Sequence, residues 1–223
     1  MHHLKNKEKG SALVYILIAI ALLTALTVSF LGSDTQQSRS QNAFRLATTI
    51  ENQIHFIRSA IQECVLTYPR GDASVNSMST TDAGYIAPYP LTPSSTHFTG
   101  STLGAAANAQ VSNLRCPGNP GGDQNNHEPI FGGSTGRFLP PAPALFNDWE
   151  YTNGTLTMPG GSDDGVILNL SSSNTDPFIT EAFQRVDERF SSCEITLLTS
   201  SDAACSETNC LIYWINGQEP GCS

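Results

Sequence analysis

Residues 9–32 read KGSALVYILIAIALLTALTVSFLG, and from Ser11 to Gly32 this stretch contains no charged residue and no proline. As a helix, these 22 residues would rise about 33 Å. That length is close to the hydrocarbon thickness of a bilayer, about 30 Å. Because Lys5, Lys7 and Lys9 precede the stretch, the positive-inside bias predicts a cytoplasmic leader with the remaining chain on the far side. We therefore expect a membrane-spanning helix at 11–32.

A cleaved secretory signal peptide is a competing interpretation of this N-terminus. Its apolar region is usually about 7–15 residues long and ends at a site of small residues. The apolar run here is longer, no such site follows Phe30, and no cysteine precedes Cys64, which disfavours lipoprotein processing. An uncleaved membrane anchor remains the plain alternative.

The junction Gly10–Ser11 lies between the basic leader and the apolar run. This arrangement resembles the prepilin leader of type IV pilins and type II secretion pseudopilins, over about the first 60 residues. The resemblance implies cleavage after Gly10 by a prepilin peptidase, with Ser11 as the new N-terminus and a candidate for N-methylation. Two positions depart from the family pattern: Ser11 replaces its usual phenylalanine, and Tyr15 replaces the glutamate at mature position five. With these two residues, the N-terminus resembles that of a minor or tip subunit more than that of a repeating subunit.

Composition limits the remaining possibilities. The chain has 223 residues and a net charge of −9, and charged residues make up only 14% of it. Its 18 glycines and 13 prolines favour loop-rich β structure over a helical bundle. No lysine occurs after Lys9, so the basic surface that nucleic-acid binding requires is missing.

Six cysteines lie beyond the apolar run. An even number on an exported chain favours disulfides. We favour Cys205–Cys210 as a local loop, Cys64–Cys116 as a link from the long helix to the head, and Cys193–Cys222 as a tether, although six cysteines allow 15 pairings. Zinc is disfavoured because the chain lacks a C-x-x-C pair.

After Gly32 an apolar stripe continues at helical spacing. It predicts an amphipathic continuation of the helix over 33–69 that packs on the protein's own head and ends at Pro69. A helix this long could bend at Gly32-Ser33. The residues of the stripe are Ala43, Ala47, Ile50, Ile54, Ile57, Ile61, Cys64 and Tyr68.

The head, residues 70–223, begins with a Ser-, Gly- and Pro-rich connecting segment that has few structural signals. From residue 149 onward, β-rich stretches predict strands at 149–158, 165–170, 194–199 and 211–216, with a hairpin at PGGSDD. Asp176-Pro177 predicts the start of a helix. The expected fold is therefore α+β, a long membrane-spanning N-terminal helix packed on a small antiparallel β-sheet head, as in pilins. The expected segments are 1–10, 11–32, 33–69 and 70–223.

Few residues suggest chemistry. Arg70-Gly71-Asp72 matches an adhesion tripeptide but coincides with a helix end, and GGSTGR at 132–137 lacks the lysine of a phosphate loop. Asp163 and Asp164 could contribute oxygens to calcium, although two adjacent carboxylates usually only solvate a turn. No cofactor is otherwise expected.

No catalytic motif is present either. The histidines of the mature chain, His55, His97 and His127, do not fall in recognisable catalytic motifs. Trp149 and Trp214 are expected in the core.

The resemblance implies a minor pilin or pseudopilin, a non-enzymatic subunit of a type IV pilus or type II secretion pseudopilus at the tip or in initiation. It implies an inner-membrane location with a periplasmic head, and a periplasmic or cell-surface filament after assembly. The implied partners are other pilins, the prepilin peptidase, an inner-membrane assembly platform and the lipid bilayer, without nucleic acid. Two alternatives stay open. One is an anchored, exported binding or adhesive domain that does not polymerise, and the other is an anchored enzyme that gathers His97 or His127 with acidic partners.

Overall fold

The structure is a computed structural model. It describes residues 9–71, 86–93, 109–117, 127–132, 135–159, 161–191 and 193–217, and for residues 9–11 and 29–35 it describes the backbone alone. The chain divides into two compact units, residues up to Asn42 and residues from Ala43 onward.

Helix α1 comprises Lys9–Thr67. Alanine, leucine and isoleucine dominate its first half, and no proline interrupts it. The helix ends where Tyr68 precedes Pro69, because the proline ring disfavours helical backbone at the residue before it. Gly71 then takes a left-handed conformation with φ 63°, which glycine adopts without steric cost.

The expected membrane-spanning segment is contradicted. Within the described ranges, no helix is long and apolar enough to cross a membrane. The expected fold with a spanning helix is therefore corrected to a mixed α+β fold, and the expected single-pass inner-membrane location is wrong on the same finding.

The second half of α1 confirms the predicted stripe. Residues Ala43 through Ile61 of the stripe are at most 2% exposed, and Cys64 is 7% exposed. They pack against the inner face of a four-stranded sheet, which contributes Tyr151, Leu168, Leu211 and Tyr213 to the same core. Burial of an apolar stripe, more than helix propensity, therefore stabilises this half of the helix.

The large sheet is antiparallel throughout and has the strand order β3-β4-β6-β5. Its strands are β3 Glu150–Met158, β4 Gly161–Ser172, β5 Ile195–Thr199 and β6 Asn209–Asn216. Helix α2, Pro177–Asp187, lies between β4 and β5 in sequence. It begins as predicted, because the Asp176 side chain accepts a hydrogen bond from the Phe178 amide and Pro177 occupies the first turn.

Strand boundaries differ most from their predictions at the β3–β4 hairpin. We expected Asp163 and Asp164 in the turn of the β3–β4 hairpin, but both belong to β4, where they pair with Leu156 and Thr155. Pairing extends to Met158 and Gly161, so the turn is shorter than the PGGSDD motif indicated.

The sheet has two different faces. The inner face packs on α1 and α2, whose Phe183 and Val186 belong to the main core. The outer face carries a second, smaller cluster that includes Met158, Ile167, Ile212 and Trp214. Both tryptophans are buried, as predicted.

Disulfides join the other elements to this framework. Cys64 at the end of α1 is bonded to Cys116 in the short strand β1, Arg115–Cys116, which pairs with β2, Glu128–Pro129. Cys205, in the loop between β5 and β6, is bonded to Cys210 near the start of β6. Both pairs are those favoured from the sequence. Cys193 is also disulfide-bonded, and Cys222 lies outside the described residues.

Candidate functional site

The first half of α1 has a surface of exposed apolar side chains. Within residues 12–28, eleven large apolar side chains are each half exposed or more. We call this the apolar segment of α1. These side chains are Leu13, Val14, Tyr15, Ile16, Leu17, Ile18, Ile20, Leu22, Leu23, Leu26 and Val28.

The two threonines of this segment do not interrupt its apolar character. The hydroxyl of Thr24 donates to the carbonyl oxygens of Ile20 and Ala21, and that of Thr27 donates to those of Leu23 and Thr24. Threonines in apolar helices commonly satisfy their hydroxyls in this way. The segment therefore offers apolar contact area in which the threonine hydroxyl donors are already used.

The second half of α1 is fixed to the head by polar contacts beside the buried stripe. The Gln53 amide donates to the Pro141 carbonyl at 2.8 Å and accepts from the Trp149 indole at 2.7 Å. Arg189 pairs with Glu51, and Arg137 pairs with Glu63. These contacts, together with Cys64–Cys116, hold this half of the helix on the head.

Arg58 makes a further polar contact between α1 and the sheet. Its guanidinium donates to the Tyr213 hydroxyl at 2.7 Å and lies 3.8 Å from Glu194. Burial raises the pKa of Tyr213, and Arg58 opposes that rise. Burial likewise raises the pKa of Asp187 at the end of α2, with a smaller contribution from Glu188.

The residues of the predicted cleavage site are only partly described. Gly10 and Ser11 have helical backbone, and the side chain of Ser11 is not described. Tyr15 is 70% exposed within the apolar segment. The helix therefore carries a phenol at the position where the resemblance implies a carboxylate.

The histidines have different environments. His55 lies on α1, 4.0 Å from Glu51, and its ring packs on Phe190. His127 is buried beside β2, and its carbonyl accepts a hydrogen bond from Arg115. His97 lies outside the described residues.

The candidate calcium ligands are strand residues. Asp164 accepts a hydrogen bond from the Thr155 hydroxyl, and the Asp163 carboxylate accepts one from the Asp164 amide. Among the described residues, no group of three or more His, Cys, Asp and Glu side chains could hold a metal ion. Arg70 and Gly71 follow the end of α1, whereas Asp72 and residues 133–134 of the glycine-rich run are not described.

A groove on the outer face of the sheet was not predicted from the sequence. Its volume is about 290 Å³, and Glu150, Thr152, Met158 and Asn169 are among the residues that line it. The sequence signal that could have indicated the groove residues is the alternation along β3. Tyr151 and Asn153 are buried, whereas Glu150 and Thr152 are not. Which partners these outward residues meet depends on strand pairing, which the sequence does not state.

Comparisons with protein-family models, with curated proteins and with solved structures found no match.

Proposed function

We propose that this chain is a minor pilin or pseudopilin, a structural subunit of a filament. Its apolar segment of α1 packs against the equivalent helices of neighbouring subunits. The observation that supports this role best is the set of eleven exposed apolar side chains on a stretch without charge. The protein acts by assembly, without turnover of a substrate.

The magnitude of the apolar exposure makes assembly energetically reasonable. Complete burial of one large apolar side chain is worth about 1.5–3 kcal/mol. Eleven half-exposed side chains could therefore supply on the order of 10 kcal/mol. That is comparable with the roughly 4–15 kcal/mol that association costs in lost freedom of motion. Contact with more than one neighbouring helix would then favour the assembled state.

Tyr15 supports a tip or initiating position within such a filament. In the resembled families, the glutamate at mature position five neutralises the N-terminal amine of a neighbouring subunit. A tyrosine in place of that carboxylate does not supply the negative charge. A subunit at the end of a filament lacks one neighbour, so it can dispense with this contact.

Processing after Gly10 by a prepilin peptidase belongs to the same proposal. The new N-terminus would be Ser11, and the basic leader with its three lysines would be removed. Mass spectrometry of the mature N-terminus tests this step, and retention of Met1 would contradict it.

Two matched variants test the assembly role. Leu17→Lys places a charge within the apolar segment, and Leu66→Lys places the same charge at an exposed position in the second half of α1. We expect Leu17→Lys to abolish incorporation into sheared filament fractions and Leu66→Lys to preserve it, with equal cellular amounts of both variants. Equal incorporation of the two, or a monodisperse monomer in cells that make filaments, would overturn the proposal.

A further inference from the structure

The groove on the outer face of the large sheet lies on the side away from α1. Its floor is apolar, with Met158, Ile167 and Ile212 from three adjacent strands. Its polar wall is formed by Glu150 and Thr152 of β3 and by Asn169 of β4. A volume of about 290 Å³ is large enough for one or two side chains.

The charge around this groove has one sign. No lysine or arginine occurs at positions 138–184 or 190–223, which include all four strands and the loop between β5 and β6. Acidic residues are present in the same region, among them Glu150 in the groove, Asp163 on β4, and Asp202 and Glu207 in the loop. The arginines that form ion pairs lie elsewhere, namely Arg58 on α1, Arg185 on α2, Arg189 just after α2, and Arg137.

The polar wall of the groove carries one carboxylate, that of Glu150, beside the amide of Asn169. Asn169 donates its amide to Glu150 Oε2 at 3.1 Å, which orients the carboxylate and leaves most of its acceptor capacity available. Asn169 Oδ1 is buried and has no hydrogen-bond donor. A carboxylate that is exposed and held in place by a neighbouring amide is suited to a charged donor.

From this geometry we propose that the groove binds an extended basic segment of a partner protein in which arginine or lysine alternates with apolar residues. The charged head of one side chain lies on Glu150, and its aliphatic part lies along the edge of the apolar floor. A neighbouring apolar side chain fills the space above Met158 and Ile212. The surrounding acidic residues attract such a segment and repel nucleic acid and other acidic chains.

The probe is a fluorescent peptide in which arginine alternates with valine, titrated into the full-length protein and followed by anisotropy. A second peptide, with glutamate in place of arginine, controls for apolar binding alone. We expect saturable binding of the arginine peptide that weakens when NaCl is raised from about 50 mM to about 500 mM. We expect no saturation with the glutamate peptide.

Matched variants locate the binding site. Glu150→Gln keeps an oxygen acceptor for the Asn169 amide and removes the charge, and we expect it to weaken binding roughly threefold to tenfold. Thr152→Lys, which places a cation in the groove, should weaken binding further. Glu128→Gln makes the same charge change on the exposed strand β2 and should leave binding unchanged. Thermal melting of each variant checks that it is folded.

Several outcomes would overturn the proposal. Equal loss in Glu150→Gln and Glu128→Gln would mean that only net charge matters. Calcium binding that depends on Glu150 without peptide binding would assign the groove to a cation. Self-association that depends on Glu150 without peptide binding would assign it to a second copy of this chain. The absence of saturable binding of the arginine peptide up to about 1 mM would also overturn it.

Discussion

Trp214 on β6 lies directly over Gly165 on β4. A Cβ atom built at residue 165 would come within 2.4 Å of Trp214 Cζ3 and 2.9 Å of Cε3, distances at which real carbon atoms do not pack. The indole nitrogen is held from the other side, because it donates to the Thr196 hydroxyl at 3.0 Å. The glycine therefore provides the space in which the tryptophan covers the outer face of the sheet.

The first prediction concerns this contact. Gly165→Ala should lower the free energy of unfolding by about 1–3 kcal/mol, because the indole must move away from its hydrogen bond with Thr196. Chemical denaturation measures the loss. In a Trp214→Leu background the same substitution should cost much less, since the ring is gone. Equal costs in the two backgrounds would show that the clash is not the cause.

The second prediction concerns the buried amide of Gln53. Gln53→Leu removes the acceptor of the Trp149 indole and the donor to the Pro141 carbonyl. The Trp149 indole would then be buried without an acceptor, and an unsatisfied buried polar group costs about 1–3 kcal/mol, so we expect a loss of that size in denaturant unfolding. Gln62→Leu is the control, since Gln62 lies on the same helix and is only partly buried. Similar losses in both variants would contradict the assigned role.

The apolar stripe of α1 and the strands were predictable because each depends on local periodicity. Helical spacing from Ala43 to Cys64 and alternation in β3 are properties of neighbouring residues, and burial follows them closely. The start of α2 was predictable for the same reason, because Asp176 and Pro177 act on their own turn.

Other features depend on residues far apart in sequence, and the sequence did not reveal them. The Asn153 side chain accepts from the Ile86 amide and donates to the Pro90 carbonyl, so one amide organises a segment more than 60 positions earlier. The groove depends likewise on pairing of Glu150 with Asn169 across two strands. The membrane-spanning helix was expected from length and hydropathy, and the described part of the helix does not meet that expectation.

The third prediction follows from the raised pKa of Tyr213. Because burial favours the neutral phenol in the folded state, its contribution to stability is complete below the unfolded pKa of about 10. That contribution is lost as the pH rises through the higher folded pKa. Urea unfolding between about pH 8 and pH 11 should show a decline in stability that is smaller in Tyr213→Phe.

At neutral pH the free energy of unfolding of Tyr213→Phe should be lower by about 1 kcal/mol, since Arg58 loses an acceptor but keeps Glu194. An identical alkaline decline in both proteins would exclude Tyr213 as its source.

The last prediction ranks the two disulfides with described partners. Cys64–Cys116 closes a loop with a sequence separation of 52, whereas Cys205–Cys210 closes one of 5. In the chain-entropy model, the longer cross-link restricts the unfolded chain by about 4 kcal/mol and the shorter by about 2 kcal/mol. The double variant Cys64→Ser, Cys116→Ser should therefore melt at a clearly lower temperature than Cys205→Ser, Cys210→Ser. The first pair also joins α1 to β1, whereas the second closes a loop over the small outer cluster, which reinforces the same order. If the variant without Cys205–Cys210 is the less stable one, packing of that loop on the outer face contributes more than cross-linking of the unfolded chain.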